Sequence, residues 1–577
     1  MVATTRTVAL QGATGHVVDV QVDLSDGLIG TALIGRPATS ITEARDRCRA
    51  AVLNSGFVWP NTRRTTILLS PADLPKRGPH FDLAIAVAVL AAHDPDFPRH
   101  RLEQVAMIGE LTLDGRVRCV PGVLPMTMAA AARGVTTVLV PAPQAGEAAM
   151  VPGVQVFGIR SLGQAVALLG EREVPEAPPV EPMSGTPLLS WRGEERLEDL
   201  DLADVLGMAD ARYAVEVAAA GGHHLMLTGP KGAGKTTLAE RIPGLLPDLD
   251  AGESLELTAV HSLAGTLPTG ATALVRPPFR APHHSASRTG LLGGGTGRVR
   301  PGEVSRAHLG VLFLDEFPLF PSDVVEALRE PLESGEISIS RGEEDATYPA
   351  RAMFVFACNP CPCGEYSPTS RDHRCTCREV RRRDYRRKIS GPVADRVDIT
   401  RFVEPVSPQA AGALVLPFDR PEPTAAVRAR VTRARERQRT RYATEAWRLN
   451  AHAPGPVLRE LWPLAGGAAD RLEDEVHAGR LTRRGAVRVH RVAWTVADLA
   501  GLEAPGAAEL EVALRLRSGE PLLLDSLPHH AADAPLHDEV VEDDPSDAGR
   551  REVVPAEHRP PRAGAHQAET ARGGGSW

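Results

Sequence analysis

Residues 224–240 read HLMLTGPKGAGKTTLAE, and this stretch decides the fold of the centre of the chain. His224 to Thr228 is an apolar run with the length of a buried strand, and the segment after the loop begins like a helix. Between them, Gly229 to Thr236 fits the pattern G-x-x-x-x-G-K-[ST]. Glycines let backbone amides turn inward around phosphate groups, and a helix N-terminus adds the positive end of its dipole. The stretch therefore predicts a phosphate-binding loop in a nucleotide-binding α/β domain.

The side chains of this loop have separate expected tasks. Lys235 is expected to reach the β and γ phosphates, and Thr236 to hold Mg²⁺. Only four of the 65 basic residues are lysines, and two of the four lie in this loop. Because the chain almost always uses Arg, a Lys here indicates a position that Arg cannot serve. The predicted nucleotide-binding residues of the loop are Gly229, Pro230, Lys231, Gly232, Ala233, Gly234, Lys235, Thr236 and Thr237.

Two later apolar runs also end in polar residues. Val311 to Glu316 reads VLFLDE, which is typical of a buried strand with carboxylates at its end. We expect Asp315 to contribute to the Mg²⁺ site and Glu316 to act as the general base toward the attacking water. Phe354 to Asn359 reads FVFACN, and Asn359 fits a sensor that helps to position that water. The alternative for Asn359 is a turn residue at the end of a strand.

Two arginines are candidates for completing an ATP site. Arg396, in SGPVADRVD, is a candidate arginine finger that acts on the ATP of a neighbouring subunit. Arg484, in LTRRGAVRVHR, is a candidate sensor on a C-terminal helical lid. For both, the alternative is an ordinary surface salt bridge, because the chain is rich in arginine.

Composition divides the chain into five regions. Residues 1–170 alternate short apolar strands with helical segments, and residues 171–199 contain five prolines and are typical of a linker. Residues 200–415 hold the nucleotide motifs. Residues 416–525 are rich in Ala, Arg, Leu and Glu at helical spacing, which predicts an all-α lid. Residues 526–577, rich in Pro, His, Asp and Gly, are expected to be disordered.

Local patterns predict individual elements of the first region. Val17–Val22 alternates like a half-buried strand, and 65–69 and 137–140 are short apolar strands. Residues 41–55 have helical periodicity. The long apolar stretch 81–92 is rich in Ala and therefore predicts a buried helix rather than a strand.

Charge and hydropathy exclude several classes of protein. The formal net charge of -8 gives no overall indication of nucleic-acid binding, so any such surface must be local. The N-terminus lacks the basic stretch and apolar core of a secretory signal. No apolar run approaches the length of a membrane span. We therefore expect no membrane association and a cytoplasmic location.

Four of the seven cysteines form two C-x-C pairs, Cys361/Cys363 and Cys375/Cys377, separated by eleven residues. Four thiolates can hold a structural Zn²⁺ in tetrahedral geometry. The C-x-C spacing is tighter than the usual C-x₂-C, so four reduced thiols on a loop remain the alternative. His373 and Cys358 are possible substitute ligands.

A basic run follows the cysteines. Between Arg371 and Lys388, nine of 18 residues are Arg or Lys and three are acidic. The run is interpreted as a surface for phosphate backbones without base specificity. A solvated helix face and a subunit interface are the alternatives.

Taken in order, five blocks resemble one family: HHLMLTGPKGAGKTTLA, PGEVSRAHLGVLFLDE, PLESGEISISR, ACNPCPCGEY and KISGPVADRVDI. They resemble the YifB/ComM family of magnesium-chelatase-like AAA+ ATPases, over roughly residues 5–520. The resemblance implies a P-loop AAA+ core in a homohexameric ring around a pore, with ATP at the subunit interfaces. It also implies that a hairpin at 337–348 and an inserted loop at 280–300 face the pore. Met208 and Lys231 stand where the family usually has Gln and Pro.

Residues 1–170 are similar to the proteolytic domain of Lon, which implies an α+β fold. The stretch that matches the nucleophile segment of Lon has His80 where Ser would lie. The stretch that matches its lysine segment has Leu124 where Lys would lie. A Ser-Lys dyad requires both groups, so we expect no peptidase activity. The domain is then a scaffold or a platform for a protein partner.

Three functions follow from the resemblance. The first is an ATP-driven ring that moves on single-stranded or branched DNA, as in ComM-like branch migration during recombination of incoming DNA. The second is an ATPase that remodels or regulates a protein bound through the N-terminal domain. The third is a magnesium-chelatase motor subunit. As far as the family resemblance goes, chelatase motor subunits lack the cysteine pairs and the Lon-like region, which argues against this third function.

Overall fold

The structure is a computed structural model that describes residues 2–38, 41, 43–181, 197, 200–267, 270–295, 299–341, 344–366, 375–389, 393–405 and 421–522. The predicted tail at 526–577 and most of the predicted linker lie outside these residues, as does His373. Among the described residues, every helix is too short or too polar to pass through a lipid bilayer.

A seven-stranded sheet forms the N-terminal region, in the order β3-β4-β2-β1-β5-β8-β9. Side chains along β2 alternate between buried and partly exposed positions, as the pattern of Val17–Val22 predicts. The strands predicted at 65–69 and 137–140 are also present. The strands are β1 (Val2–Gln11), β2 (Thr14–Ser25), β3 (Gly30–Ile34), β4 (Arg64–Ser70), β5 (Val105–Met107), β8 (Thr137–Pro141) and β9 (Gln155–Ile159), with β6 (Glu110–Leu111) and β7 (Val117–Arg118) paired separately.

Helices cover this sheet, and the predicted buried helix is among them. Its residues are buried from Asp82 to Ala92, because small and branched apolar side chains fill the space between the strands and the neighbouring helices. The helix predicted at 41–55 begins slightly later than the pattern suggests. The helices of this region are α1 (Ala44–Asn54), α2 (Asp82–His93), α3 (Val123–Ala132), α4 (Ala145–Ala148) and α5 (Leu162–Leu169).

The central region is built on a five-stranded parallel sheet in the order β11-β14-β17-β10-β18. The central strands are apolar on both faces because helices cover both sides of a parallel sheet. Their carboxyl ends meet at one edge, where α/β proteins place their ligands. The strands are β10 (Leu225–Thr228), β11 (Phe279–Arg280), β14 (Val311–Leu314), β17 (Met353–Cys358) and β18 (Ile399–Phe402).

The helices of this region vary greatly in length. The longest, α9, begins with a capping box between Asp250 and Glu253, which satisfies the first free backbone amides. The helices are α6 (Ala209–Gly221), α7 (Lys235–Ala239), α8 (Ile242–Leu245), α9 (Ala251–Ala264), α10 (Arg288–Leu292), α11 (Glu303–Arg306), α12 (Ser322–Ala327), α13 (Arg329–Ser334) and α14 (Glu379–Ile389).

The predicted all-α lid is present and packs against the sheet domain through α6. Gln438 donates to the carbonyl of Ala220 at 3.0 Å, and Thr495 lies 2.7 Å from Nε2 of His223. One hydrophobic core joins α6, the central strands and the lid. The lid helices are α15 (Thr424–Arg441), α16 (Gly455–Leu461), α17 (Ala468–His477), α18 (Arg483–Ala500) and α19 (Ala507–Ser518).

Two projections leave the central sheet. The predicted hairpin consists of β15 (Glu336–Arg341) and β16 (Glu344–Pro349), paired antiparallel. The predicted insertion contains α10 and the short pair β12 (Gly293–Gly294) and β13 (Arg300–Pro301). The described part of the insertion is therefore partly regular structure rather than an open loop.

The N-terminal domain docks on the central domain at two places. The backbone N–H of Ala13, in the turn between β1 and β2, donates to the carbonyl of Thr347 in β16 at 3.3 Å. On the neighbouring side, the N–H of Gly122 donates to the carbonyl of Ser262 in α9 at 3.1 Å, and the Ser262 hydroxyl donates to Glu147. Burial raises the pKa of Glu147, although the hydrogen bond from Ser262 opposes the shift.

The two positions that the resemblance to Lon assigns to the dyad are both buried here. The His80 ring is buried, with Nε2 2.8 Å from the carbonyl of Val8. Leu124 is fully buried and packs in a small apolar cluster with Ala259 of α9. Leu124 thus contributes to the contact between the two domains.

Candidate nucleotide site and cysteine centre

The phosphate-binding loop connects β10 to α7. Gly232 and Gly234 have φ of +73° and +89°, conformations that favour glycine. A Cβ on Gly229 would lie 2.2 Å from the carbonyl oxygen of Val403, so only glycine fits there. Lys235 and Thr236 begin α7 and therefore stand where the helix dipole favours an anion. Pro230, Lys231, Ala233 and Thr237 lie along the same turn and its helix.

Lys235 joins the loop to the neighbouring strand. Its Nζ donates to the carbonyls of Gly229 and Pro230 at 2.7 and 2.8 Å, and to Oδ1 of Asn359 at 3.2 Å. Burial lowers the pKa of Lys235, and the Asp315 carboxylate partly offsets this effect. The structure thus brings together the loop lysine and the predicted sensor, which are 124 residues apart in the chain.

The two predicted Mg²⁺ ligands also meet. The Thr236 hydroxyl lies 3.2 Å from Oδ2 of Asp315, while Oδ1 of Asp315 accepts the backbone N–H of Glu316 at 2.8 Å. A hydroxyl and a carboxylate oxygen are ligands that Mg²⁺ prefers, so these side chains fit the ion. Bound there, Mg²⁺ would neutralise phosphate charge.

Glu316 has an unusual backbone for a non-glycine residue. Its φ of +49° lies in the left-handed region, which costs free energy and is often found at functional sites. Its Oε2 lies 3.6 Å from Nδ1 of His284, which comes from the inserted segment 280–300. This contact was not predicted, because only the fold brings residue 284 to the end of β14.

Arg396 and Arg484 lie together at another place. Nη2 of Arg396 is 2.6 Å from Oε1 of Glu333, and Nη1 of Arg484 is 3.5 Å from the same oxygen. Both arginines line a cavity of about 760 Å³ between the central domain and the lid. Its described lining includes no residue of the Gly229–Thr236 loop.

A buried ion pair supports this cavity. Nη1 of Arg488 lies 2.6 Å from Oδ1 of Asp398, whose side chain is almost completely buried. Although burial opposes it, Arg488 holds the pKa of Asp398 well below its usual range. Neither Glu333 nor this pair was identified from the sequence. The one available signal was the position of Glu333 within the block PLESGEISISR.

The four predicted cysteines form one cluster. Their Sγ atoms all lie within 4.8 Å of one another, with Cys361 3.2 Å from Cys363 and 3.6 Å from Cys375. Zinc–sulfur bonds of about 2.3 Å in a tetrahedron place sulfur atoms about 3.8 Å apart, so the cluster fits Zn²⁺. Cys358 is not among these four sulfur atoms. It ends β17 beside the nucleotide site, where burial raises its pKa to about 12.

Comparisons with known proteins match three regions of the chain to magnesium-chelatase families. The family model "Magnesium chelatase, subunit ChlI" matches residues 201–411, "Subunit ChlI of Mg-chelatase" matches 20–144, and "Magnesium chelatase, subunit ChlI C-terminal" matches 421–517. The chain is also 32% identical over 109 residues to Lon protease 1 of Herpetosiphon aurantiacus, covering 18% of this chain and 13% of that protein.

Several relatives match nearly end to end. An uncharacterized protein of Mycobacterium tuberculosis is 46% identical over 510 residues, which cover 88% of this chain and 97% of that protein. The uncharacterized protein YifB of Escherichia coli is 38% identical over 518 residues, covering 89% and 97%. The competence protein ComM of Haemophilus influenzae is 39% identical over 516 residues, also covering 89% and 97%.

A parallel sheet that carries a phosphate-binding loop, an Asp-Glu pair and an Asn on one edge, with a helical lid, defines an AAA+ protein of the magnesium-chelatase type. The chain belongs to the YifB/ComM family of these AAA+ ATPases.

The cysteine cluster leads to a prediction about metal content. Elemental analysis of the purified chain should find about one zinc per chain, because four convergent thiolates complete a structural site. Replacing Cys361 and Cys363 together by Ser should remove the zinc. Replacing Cys119, which lies outside the cluster, should leave it in place. A folded chain without zinc would show that the cluster is four reduced thiols.

Proposed function

We propose that the chain hydrolyses ATP as a ring-forming motor and that the motor acts on DNA. The observation that carries the ATPase part is the meeting of Lys235, Asn359, Thr236 and Asp315 at the carboxyl edge of the parallel sheet. These groups supply a cation for the phosphates, a polar sensor and two Mg²⁺ ligands within one small space.

In this proposal each side chain has one task. Lys235 leaves the loop carbonyls to bind the β and γ phosphates, while Thr236 and Asp315 hold Mg²⁺. Glu316 accepts a proton from the attacking water, and Asn359 orients that water. Glu316 is suited to the role because its carboxylate is partly exposed and follows directly after Asp315.

The ring part of the proposal rests on Arg396 and Arg484. Their guanidinium groups converge on Glu333, in a cavity whose described lining contains no part of the phosphate-binding loop. A bound nucleotide in the same chain is therefore not their natural partner. We propose that both arginines act on the ATP of a neighbouring subunit. Arg484 of the lid then acts on the same ATP as Arg396, and not on a nucleotide bound to the loop of its own chain.

The DNA part of the proposal rests on local charge in an acidic chain. On α14, Arg381, Arg383 and Arg387 are exposed, and Arg378 is exposed just before it. Arg382 differs, because it is half-buried, pairs with Glu379 and lies 4.6 Å from the centre of the Tyr366 ring. It therefore attaches the helix to the cysteine segment, and only its neighbours are available for phosphate.

The predicted pore elements carry further positive charge. Arg288, Arg300 and Arg341 are exposed, whereas Arg280 is half-buried beside Glu303. Arg298 lies outside the described residues. Exposed guanidinium groups on two separate projections suit contacts to a polyanion without sequence specificity. The alternative occupant is a protein client, and the DNA measurement below distinguishes the two.

The first prediction separates nucleotide binding from hydrolysis. Lys235→Ala should lose Mg·ATP binding, because it removes the cation that binds the β and γ phosphates. Glu316→Gln should bind Mg·ATP normally but hydrolyse it about 10²–10⁴-fold more slowly, because only the base is lost. Binding is measured with a fluorescent nucleotide and hydrolysis by phosphate release. Normal turnover by Glu316→Gln would place the base elsewhere.

The second prediction tests the shared site. Arg396→Ala should bind Mg·ATP normally but hydrolyse it about a thousandfold more slowly. Mixing it with Glu316→Gln should recover part of the activity, because one interface then combines an intact base with an intact finger. Arg483→Ala, next to Arg484 and paired with Glu473, is the matched control and should stay active. Mixtures no more active than the separate variants would exclude action between subunits.

The third prediction concerns DNA. Single-stranded DNA should bind at low salt and stimulate hydrolysis. Replacing Arg381 and Arg383 by Ala should weaken binding and reduce the slope of log affinity against log salt by about 1–2. The matched control replaces Arg433 and Arg437, two exposed arginines of α15. If the unaltered ring does not bind DNA at low salt, a protein client becomes the better proposal.

A further inference from the structure

The cysteine centre lies directly beside the phosphate-binding loop. The segment from Cys358 to Gly364 leaves β17 and runs along the loop, which hydrogen-bonds to it at three points. The N–H of Gly229 donates to the carbonyl of Cys358 at 3.1 Å, and the N–H of Lys231 donates to the carbonyl of Gly364 at 3.3 Å. The third contact is Lys235 Nζ to Asn359. The loop therefore depends on this segment for its position.

Packing strengthens the same contact. Gly364 has φ of +83°, and a Cβ there would lie 2.8 Å from Cγ of Lys231 and 3.1 Å from Cδ and Cε. The alkyl chain of Lys231 thus lies across the backbone of Gly364. Since Gly364 directly follows Cys363, the contact lies one residue from the cysteine cluster.

The second cysteine pair extends the connection to α14. Tyr385 on this helix lies beside the backbone of Asn359, and burial raises the pKa of Tyr385. Helix α14 also packs against the turn Phe317–Leu319, which follows Glu316. The two cysteine pairs therefore join the segment beside the phosphate loop to a helix that contacts the sensor and the turn after the base.

We propose that the four-cysteine centre braces the phosphate-binding loop, so that Zn²⁺ binding and nucleotide binding each strengthen the other. The inference rests on the proposed nucleotide-binding function. Zn²⁺ joins Cys361 and Cys363 to Cys375 and Cys377, which restricts the segment that accepts the hydrogen bonds of the loop. A nucleotide orders the loop and thereby restricts the same segment. Two ligands that order one segment stabilise each other, and linkage requires the same factor in both directions.

The test uses the full-length, zinc-loaded chain. Zinc transfer to excess 4-(2-pyridylazo)resorcinol is timed with and without saturating Mg·ADP, which binds without turnover. We expect Mg·ADP to slow zinc release by about fivefold or more. The zinc-free chain should bind Mg·ADP more weakly. The ratio of the Mg·ADP affinities with and without zinc should equal the ratio of the zinc affinities with and without Mg·ADP. Lys235→Ala is the control, because it should not bind nucleotide. Mg·ADP should therefore leave its rate of zinc release unchanged, and a change would report a direct effect of ADP on zinc.

A variant at the contact separates bracing from zinc binding. Gly364→Ala should retain one zinc per chain but lose the protection by Mg·ADP, because its Cβ displaces Lys231. Gly479→Ala is the matched control: its φ is +71°, and a Cβ there would meet nothing within 4 Å. This substitution places Ala at a similar positive φ, with a similar cost in free energy, and should keep the protection of zinc by Mg·ADP. Tyr385→Phe, which leaves the cysteine segment unchanged, should lose part of the protection of zinc by Mg·ADP.

The outcomes distinguish the brace from the proposed function. Equal zinc release with and without Mg·ADP, in a chain that binds Mg·ADP and hydrolyses ATP, overturns the brace alone. A chain that contains no zinc also overturns it. A zinc-loaded chain that binds no nucleotide overturns the proposed function, and with it the inference that depends on it.

Discussion

The contact between Lys235 and Asn359 ties together the two strands on which the nucleotide site depends. It joins the loop after β10 to the end of β17, which lies between β10 and β14 in the sheet. Because the strands are parallel, their carboxyl ends reach one edge, and Asp315 at the end of β14 comes within 3.2 Å of Thr236. The cysteine segment continues from β17, so its position beside the loop follows from the same strand order.

The sequence predicted those parts of the site that are set by local pattern. Lys235, Asp315 and Asn359 each follow an apolar strand, and a parallel sheet brings the ends of such strands together. The buried helix α2 was predictable from the Ala content of a long apolar stretch, and the lid from its helical spacing, because both signals are local. The meeting of Arg396 with Glu333 and the contact of His284 with Glu316 were not, because each depends on how separate segments pack. Long-range contacts of single charged residues leave no periodic signal in one sequence.

The N-terminal domain contacts the central domain close to a position that the resemblance to Lon singles out. Leu124, which the resemblance to Lon places at the lysine of the dyad, is buried against α9 of the central domain, and Glu147 accepts a hydrogen bond from Ser262 nearby. The turn between β1 and β2 touches the hairpin β15–β16. The domain therefore contacts both the long helix α9 and the hairpin of the central domain.

The central claim is that one chain holds an incomplete ATP site, with the phosphate loop and the arginine pair on different surfaces. ATP turnover per chain, measured across a range of protein concentrations alongside light scattering, tests this most directly. The account predicts that turnover per chain rises steeply as rings assemble and is negligible where scattering shows monomers. Full turnover by monomers, unchanged across the concentration range, would contradict it.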